Sequence, residues 1–486
     1  MKFFKGLAGQ TVIYGLGTIV PRVLNYLLLT PFFTRVFTTE IYGTFSVLYA
    51  FSSFLLVLLI HGMETTYFRF SVKHDEQKTY NHALFSTMSF ASVFLVFALL
   101  FKNDIAGWID YQNNVNYIVC FAFIIFFDVL TAIPFARLRN QNKALKFSII
   151  KLVNVSISIS LNIFFYVVCR ESDNAFFASL YNPDVNVGYA FYSNLLASFV
   201  SFLLLLPEFK CFRPAISFSF YKEMLKYTWP FILIGGAGMI NEVFDKIFLK
   251  FVSCDGINAL EQVGIYSGNY KIAVLMTIFI QMFNYAAEPF FFKKSATSDA
   301  KESYRVVLNY FVMFCLIIFL SVTMYIDIFQ YFIGEEFRSG LDIVPVILLA
   351  NMFLGIYYNI SIWYKICNKT VCGAVISIIG AIITLVLNIE LIPIMGYWGC
   401  AIATIACYFV MVLICYLWGH KVYPVNYNVG KLSAYILLAV LVLIVRNFFS
   451  IDNLILSLSV STLFLLIYIG ILYYFERKNI KELLCK

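Results

Sequence analysis

Fourteen stretches of roughly twenty apolar residues follow one another along this chain, separated by short polar segments. They lie at about 10–36, 41–68, 80–101, 115–138, 147–168, 188–206, 226–251, 262–287, 305–326, 341–363, 370–389, 394–418, 431–447 and 454–475. A hydrocarbon core about 30 Å thick is crossed by about 20 helical residues. Lipid supplies no water to an open backbone, so a crossing segment must close its own hydrogen bonds as a helix. The chain is therefore expected to be an all-α polytopic membrane protein with about fourteen transmembrane helices. Composition agrees: 61% of the 486 residues are hydrophobic and 13% charged, against roughly 45–50% and 25% in soluble domains. Lys2 and Lys5 precede the first stretch, but no small-residue cleavage site follows it. It reads as a retained helix and not as a signal peptide.

The loops set an orientation. Alternate loops and the two ends hold twenty-five Lys and Arg residues, among them Arg69, Lys73, Arg137, Lys146, Lys226, Lys294, Lys365 and Arg477, whereas the opposite set holds six. Lys and Arg favour the cytoplasmic side, so both termini and the basic loops are expected there. The net charge of +8 reports this topology and is not a nucleic-acid footprint.

Charges inside the spans need separate reasons, because each costs roughly 2.5–3.5 kcal/mol at a helix centre on insertion scales. The seventh span, LKYTWPFILIGGAGMINEVFDKIFLKF from Leu225 to Phe251, carries Glu242, Asp245 and Lys246. Glu242 and Lys246 are four apart, acid before base, so they share a helix face. Pro230, Gly235, Gly236 and Gly238 make this helix easy to bend. Arg22 follows Pro21 in the middle of the first span and does not lose its proton. Lys271 sits in span eight beside Tyr266, Asn269 and Tyr270. Arg22, Lys246 and Lys271 together are expected to form a cationic cavity, with Asn269 and Tyr270 as further lining. Asp128, in span four, is either an internal partner of Arg22 or a site for a coupling cation. His61, Glu64 and Glu288 fall near the ends of spans two and eight, where interfacial hydrogen-bonded groups are common.

Several functions lack their signatures. No Walker sequence, HExxH or GxSxG occurs, and no outer loop is large enough for a catalytic domain, so an enzyme is not expected. The eleven cysteines are scattered without CxxC or His/Cys spacing, so no metal site or cofactor is expected. Cys169 and Cys254 lie near one face, and sequence leaves open whether they pair.

Spans one and two echo spans seven and eight. Aligning Gly43 with Gly264 places Tyr49 on Tyr270 and Phe70 on Phe291. A period of six spans keeps both copies in the same orientation, a parallel repeat. The expected division is a six-helix bundle at 1–206, a linker at 207–225, a second six-helix bundle at 226–418, and two additional helices with a tail at 419–486.

The fourteen-span array resembles the bacterial polysaccharide and O-antigen flippases of the multidrug/oligosaccharidyl-lipid/polysaccharide exporter superfamily. So do FDK at Phe244–Lys246, VGIYSGNYKIAVL at Val263–Leu275, AEPFF at Ala287–Phe291 and FARLRNQNKALKFSII at Phe135–Ile150. The resemblance implies a MATE-like fold, two six-helix bundles facing a central cavity that opens alternately to each side. It implies movement of undecaprenyl-diphosphate-linked oligosaccharide from the inner to the outer leaflet, for surface polysaccharide biosynthesis. The diphosphate is an anionic handle suited to Arg22, Lys246 and Lys271. A coupling proton or sodium ion and polysaccharide assembly proteins are further possible partners. A lipid II flippase and a cation-coupled multidrug antiporter are the alternatives, although an antiporter for cationic drugs would want carboxylates where the first helix has Arg22. A membrane polymerase or ligase would want a long outer loop.

Overall fold

The computed structural model describes residues 19–213, 217–252, 258–295, 297–367, 369–449 and 453–484, and among them every regular element is helical. The main helices are α1 (Thr30–Val36), α2 (Thr39–Ile60), α3 (Met63–Lys73), α4 (Glu76–Leu100), α5 (Val115–Asn140), α6 (Ala144–Ile163), α7 (Gly188–Phe209) and α8 (Phe218–Val252). They continue with α9 (Ala259–Lys294), α10 (Ala300–Met324), α11 (Val344–Ile360), α12 (Thr370–Met395), α13 (Tyr397–Val422), α14 (Val429–Asn447) and α15 (Leu454–Leu484). Twelve helical spans among the described residues are long and apolar enough to cross a membrane. Of the other two expected from the sequence, the seventh corresponds to α8, whose 35 residues suffice in length but include its internal charges. The first begins outside the described residues.

The helices start where polar side chains can take up their orphan N–H groups. Thr38 accepts from the Ile41 N–H ahead of α2, Asp75 from Lys78 ahead of α4, and Asn258 from Glu261 ahead of α9. Just before α1 the chain makes a π turn at Asn25–Leu29. Pro31, two residues beyond, has no N–H to return to the preceding turn, a common origin of such irregularity.

The chain forms two compact units, Met1–Ile247 and Phe248–Lys486. In the first, α5 is central and packs against α4 and α7, with α2 and α3 also on it and α6 against α7. Its buried face runs almost unbroken from Tyr117 to Leu138. The helix that the sequence assigns to the opening of the second bundle makes contacts here as well: Phe220 and Met224 of α8 join the core of Met63, Tyr67, Tyr80, Leu84 and Ile133. Further along α8, Phe244 meets the Phe54 ring edge-on at 4.9 Å.

The second apolar span is not one straight helix. It breaks at His61 and Gly62, whose φ angles are +41° and +71°. Thr228 of α8 donates to the His61 carbonyl at 2.5 Å, and the His61 ring meets Ser86 of α4 at 2.9 Å, so the break's polar groups are satisfied despite burial. A side chain at Gly62 would need a left-handed conformation, and its Cβ would lie 2.5 Å from the Phe231 Cβ. Gly62→Ala is thus expected to cost about 1–3 kcal/mol. Thermal melting of the purified variant beside Gly107→Ala, where a Cβ meets nothing within 4 Å, checks this; equal melting temperatures would refute it.

In the second unit α11 packs on α9, α10 and α13, and α12 pairs with α13. The α12–α13 hairpin turns at Gly396, and at Gly399 a Cβ would sit 2.7 Å from the Leu391 carbonyl carbon, so only glycine lets the backbones meet so closely. The two additional helices α14 and α15 pack on each other and on α10. Lys431 and Tyr435 of α14 reach the buried Glu476 carboxylate of α15, while Arg446 meets Ser461 and Ser457.

Candidate functional site

Four ionisable groups gather in the first unit. Along α8, Asp245 is buried, Lys246 is half-buried and Glu242 keeps accessible surface. Lys246 shares a helix face with Glu242, one turn away, and its Nζ lies 3.2 Å from Asp245 Oδ1. Glu242 still feels the attraction of both Lys246 and Arg22, and the repulsion of Asp245. Arg22, exposed just ahead of the π turn at Asn25–Leu29, is thus a second cation acting on Glu242. Two cations and two carboxylates thus lie in spans that the sequence assigns to the membrane, where opposite charges lower one another's cost. Such a group can exchange internal partners for those of an anionic ligand. Glycine-rich α8 runs as one continuous helix past Gly235, Gly236 and Gly238, and a Cβ at Gly235 would lie 2.7 Å from Val57 of α2.

Asp128 lies elsewhere in that unit. Ser198 of α7 donates to its Oδ1 at 2.8 Å, and Lys151 of α6 is the charge acting on it. Lys151 sits 4.1 Å over the Phe135 ring and also feels Glu64 and Arg139. Glu64 and Arg139 are themselves paired at 2.6 Å. Lys151 is thus a charge common to Asp128 and Glu64, and Arg139 of α5 pairs with Glu64. The sequence places Lys151 within the fifth span, a signal in itself, but names no partner for it. Double-mutant cycles with Asp128→Asn and Lys151→Met are expected to give a coupling of about 0.5–3 kcal/mol in unfolding. A coupling indistinguishable from zero would show that the two charges act separately.

In the second unit, the Asn269 amide is fully buried and donates to the Ile265 and Phe337 carbonyls at 2.8 and 2.7 Å. It ties α9 to the 3-10 turn Glu335–Ile343. Tyr270 is half-buried, 6.0 Å from the buried Tyr266 ring, and Lys271 beside it is also half-buried. Glu288 pairs with Lys365 at 2.6 Å. Cys169 is a buried free thiol, while Cys254 lies outside the described residues. Among the described residues, no group of His, Cys, Asp and Glu could hold a metal ion.

Residues 7–295 match the family described as polysaccharide biosynthesis protein. Protein 1 of the Lsg locus of Haemophilus influenzae is 23% identical, the alignment covering 82% of this chain and 95% of that protein. Among solved structures, the lipid II flippase MurJ in its inward closed conformation is similar at a TM-score of 0.68 and 16% identity, over 95% of this chain and 99% of that one. An inward-facing multidrug resistance MATE family transporter of the MOP superfamily gives 0.64 at 13% identity, over 87% and 95%. At such identities the likeness is one of fold: an all-helical transporter architecture common to that flippase and those MATE proteins.

Proposed function

This chain belongs to the polysaccharide biosynthesis protein family and is a multi-pass membrane protein, and on that premise we propose that it flips a lipid-linked oligosaccharide. The cargo is undecaprenyl-diphosphate-linked, and it moves from the inner to the outer leaflet of a bacterial cytoplasmic membrane by alternating access. The observation that carries the reading is the charge group of Arg22, Glu242, Asp245 and Lys246. A diphosphate arriving there replaces carboxylates as the partner of Arg22 and Lys246. Because the ligand makes different contacts in different states, its binding biases the conformational equilibrium. Lys271 is assigned a separate phosphate contact from the second unit.

The fold likeness to MurJ and to MATE transporters also supports two other cargoes, lipid II and a cationic drug. Arg22 and Lys246 favour an anionic head over a cationic one, since a cation would have to displace them. Proteoliposomes containing the purified protein, offered lipid-linked oligosaccharide, lipid II or a lipophilic cation in parallel, test the choice. Translocation of the oligosaccharide lipid is expected to be the fastest. Transport of the cation alone would overturn the proposal, and preference for lipid II would reassign the cargo.

A further inference from the structure

A second concentration of positive charge lies apart from the Arg22–Lys246 group, where α3 ends and α8 begins. Arg69, Lys73, His74, Glu223, Lys226 and Tyr227 line an open hollow of about 320 Å³, at the lower end of the roughly 300–1,000 Å³ of small-molecule sites. Arg69, Lys73 and Lys226 bring three cations against the one carboxylate of Glu223. Loops on the basic side of any membrane protein carry Lys and Arg, so charge alone is no argument for a site. Here the charges are held on a shaped and braced surface. The Arg69 guanidinium rests 4.3 Å over the Tyr227 ring, and the Phe70 ring lies 5.7 Å from Tyr227 and is stacked with His74 at 5.6 Å. The two walls are joined just beyond, where Thr228 bonds the His61 carbonyl. Phe70 is buried in the core beneath.

The surroundings indicate a lipid. Trp229, 56% exposed, lies two residues beyond Tyr227, and Phe218, 77% exposed, opens the same helix. Aromatic rings so placed at the end of a span sit at headgroup level. Basic pockets between helices at that level bind the phosphates of anionic lipids, each Lys or Arg adding about 1 kcal/mol near such a surface. We propose that this hollow binds the phosphate of an anionic lipid in the leaflet facing the basic loops, and so clamps α3 to α8. The shared chemistry is a lipid phosphate, whether of a phospholipid or of an undecaprenyl diphosphate. The site stands independently of the flipping reading, because binding is measured without transport.

The test is lipid binding to the full-length purified protein by native mass spectrometry and by thermal shift in phosphatidylcholine nanodiscs. The added probes are phosphatidylglycerol, undecaprenyl diphosphate and inorganic phosphate, each alone. Wild type is expected to bind one or both lipid phosphates, and the Arg69→Gln/Lys73→Gln/Lys226→Gln variant to bind them about ten- to a hundredfold more weakly. A variant of equal charge change on other basic loops, Lys143→Gln/Lys210→Gln/Lys421→Gln, is expected to keep wild-type affinity. The substituted residues are all exposed; should the first triple variant not purify, Lys73→Gln/Lys226→Gln replaces it. Whichever lipid loses affinity identifies the source. Unchanged binding in the first variant, or an equal loss in the control, would overturn the site. Inorganic phosphate stabilising wild type as strongly as either lipid would overturn its assignment to lipid.

Discussion

Arg22→Ala and Lys246→Ala proteins, reconstituted at wild-type density, are expected to translocate lipid-linked oligosaccharide at about one-tenth to one-hundredth of the wild-type rate. The magnitude follows from losing one hydrogen bond to a charged phosphate, about 1.5–3 kcal/mol, read as a rate. Stability complicates the reading, because Lys246 also compensates Asp245 at 3.2 Å. Removing one member of a buried pair can cost about 3–5 kcal/mol. The double variant Asp245→Ala/Lys246→Ala separates the two roles. If Lys246 serves only to neutralise Asp245, the double variant recovers both stability and transport. If Lys246 grips the cargo, stability returns while transport stays low. Recovery of wild-type transport in the double variant, with normal transport by Arg22→Ala, would make these cations structural.

Glu208→Ala is expected to lose about 3–5 kcal/mol of stability, far more than Glu64→Ala, although each carboxylate pairs with an arginine of the same helix. Glu208 is 5% exposed, with Lys146 Nζ at 2.8 Å and Arg137 Nε at 3.9 Å. Arg137 is itself nearly buried: it donates to Gln77 at 3.0 Å, and its guanidinium lies 4.3 Å over the Tyr80 ring. Tyr80 in turn donates to the Glu208 carbonyl. Removing the carboxylate leaves Arg137, only 9% exposed, without its compensating charge where water has little access. The Glu64–Arg139 pair is shorter, 2.6 Å, but its side chains are 35% and 39% exposed. Water replaces the lost partner there, and about 0–1 kcal/mol is expected. Melting of the two variants side by side decides between them; equal losses would show that distance and not burial sets the strength of these pairs.

The repeat of apolar spans and the family motifs were legible because each is local. The charge group on α8 was legible in membership: Glu242, Asp245 and Lys246 stand out as charges in an apolar run, and so does Arg22. Its pairing was not. Helical spacing puts Lys246 on the face of Glu242, and only the structure shows its Nζ at 3.2 Å from Asp245 Oδ1. Asp128 shows the same limit more strongly. Its partners, Ser198 and Lys151, come from α7 and α6, and nothing in the spacing around Asp128 names either.

By itself, then, the sequence determined that this protein is a bundle of membrane-crossing helices, and it pointed to the family to which the chain belongs. Lipid forces any long apolar run to close its own hydrogen bonds, so each span declares itself without reference to its neighbours. Only the tertiary structure decided which helices touch and which charges meet. In water an amphipathic stripe tells a helix which side to bury. In lipid the outward and inward faces are both apolar, so rotation and partners are set by close packing and by the few polar groups that must find one another. That is why α5 is central and α6 peripheral, why α2 and α3 part at His61 and Gly62, and why Asn269 spends its amide on Phe337.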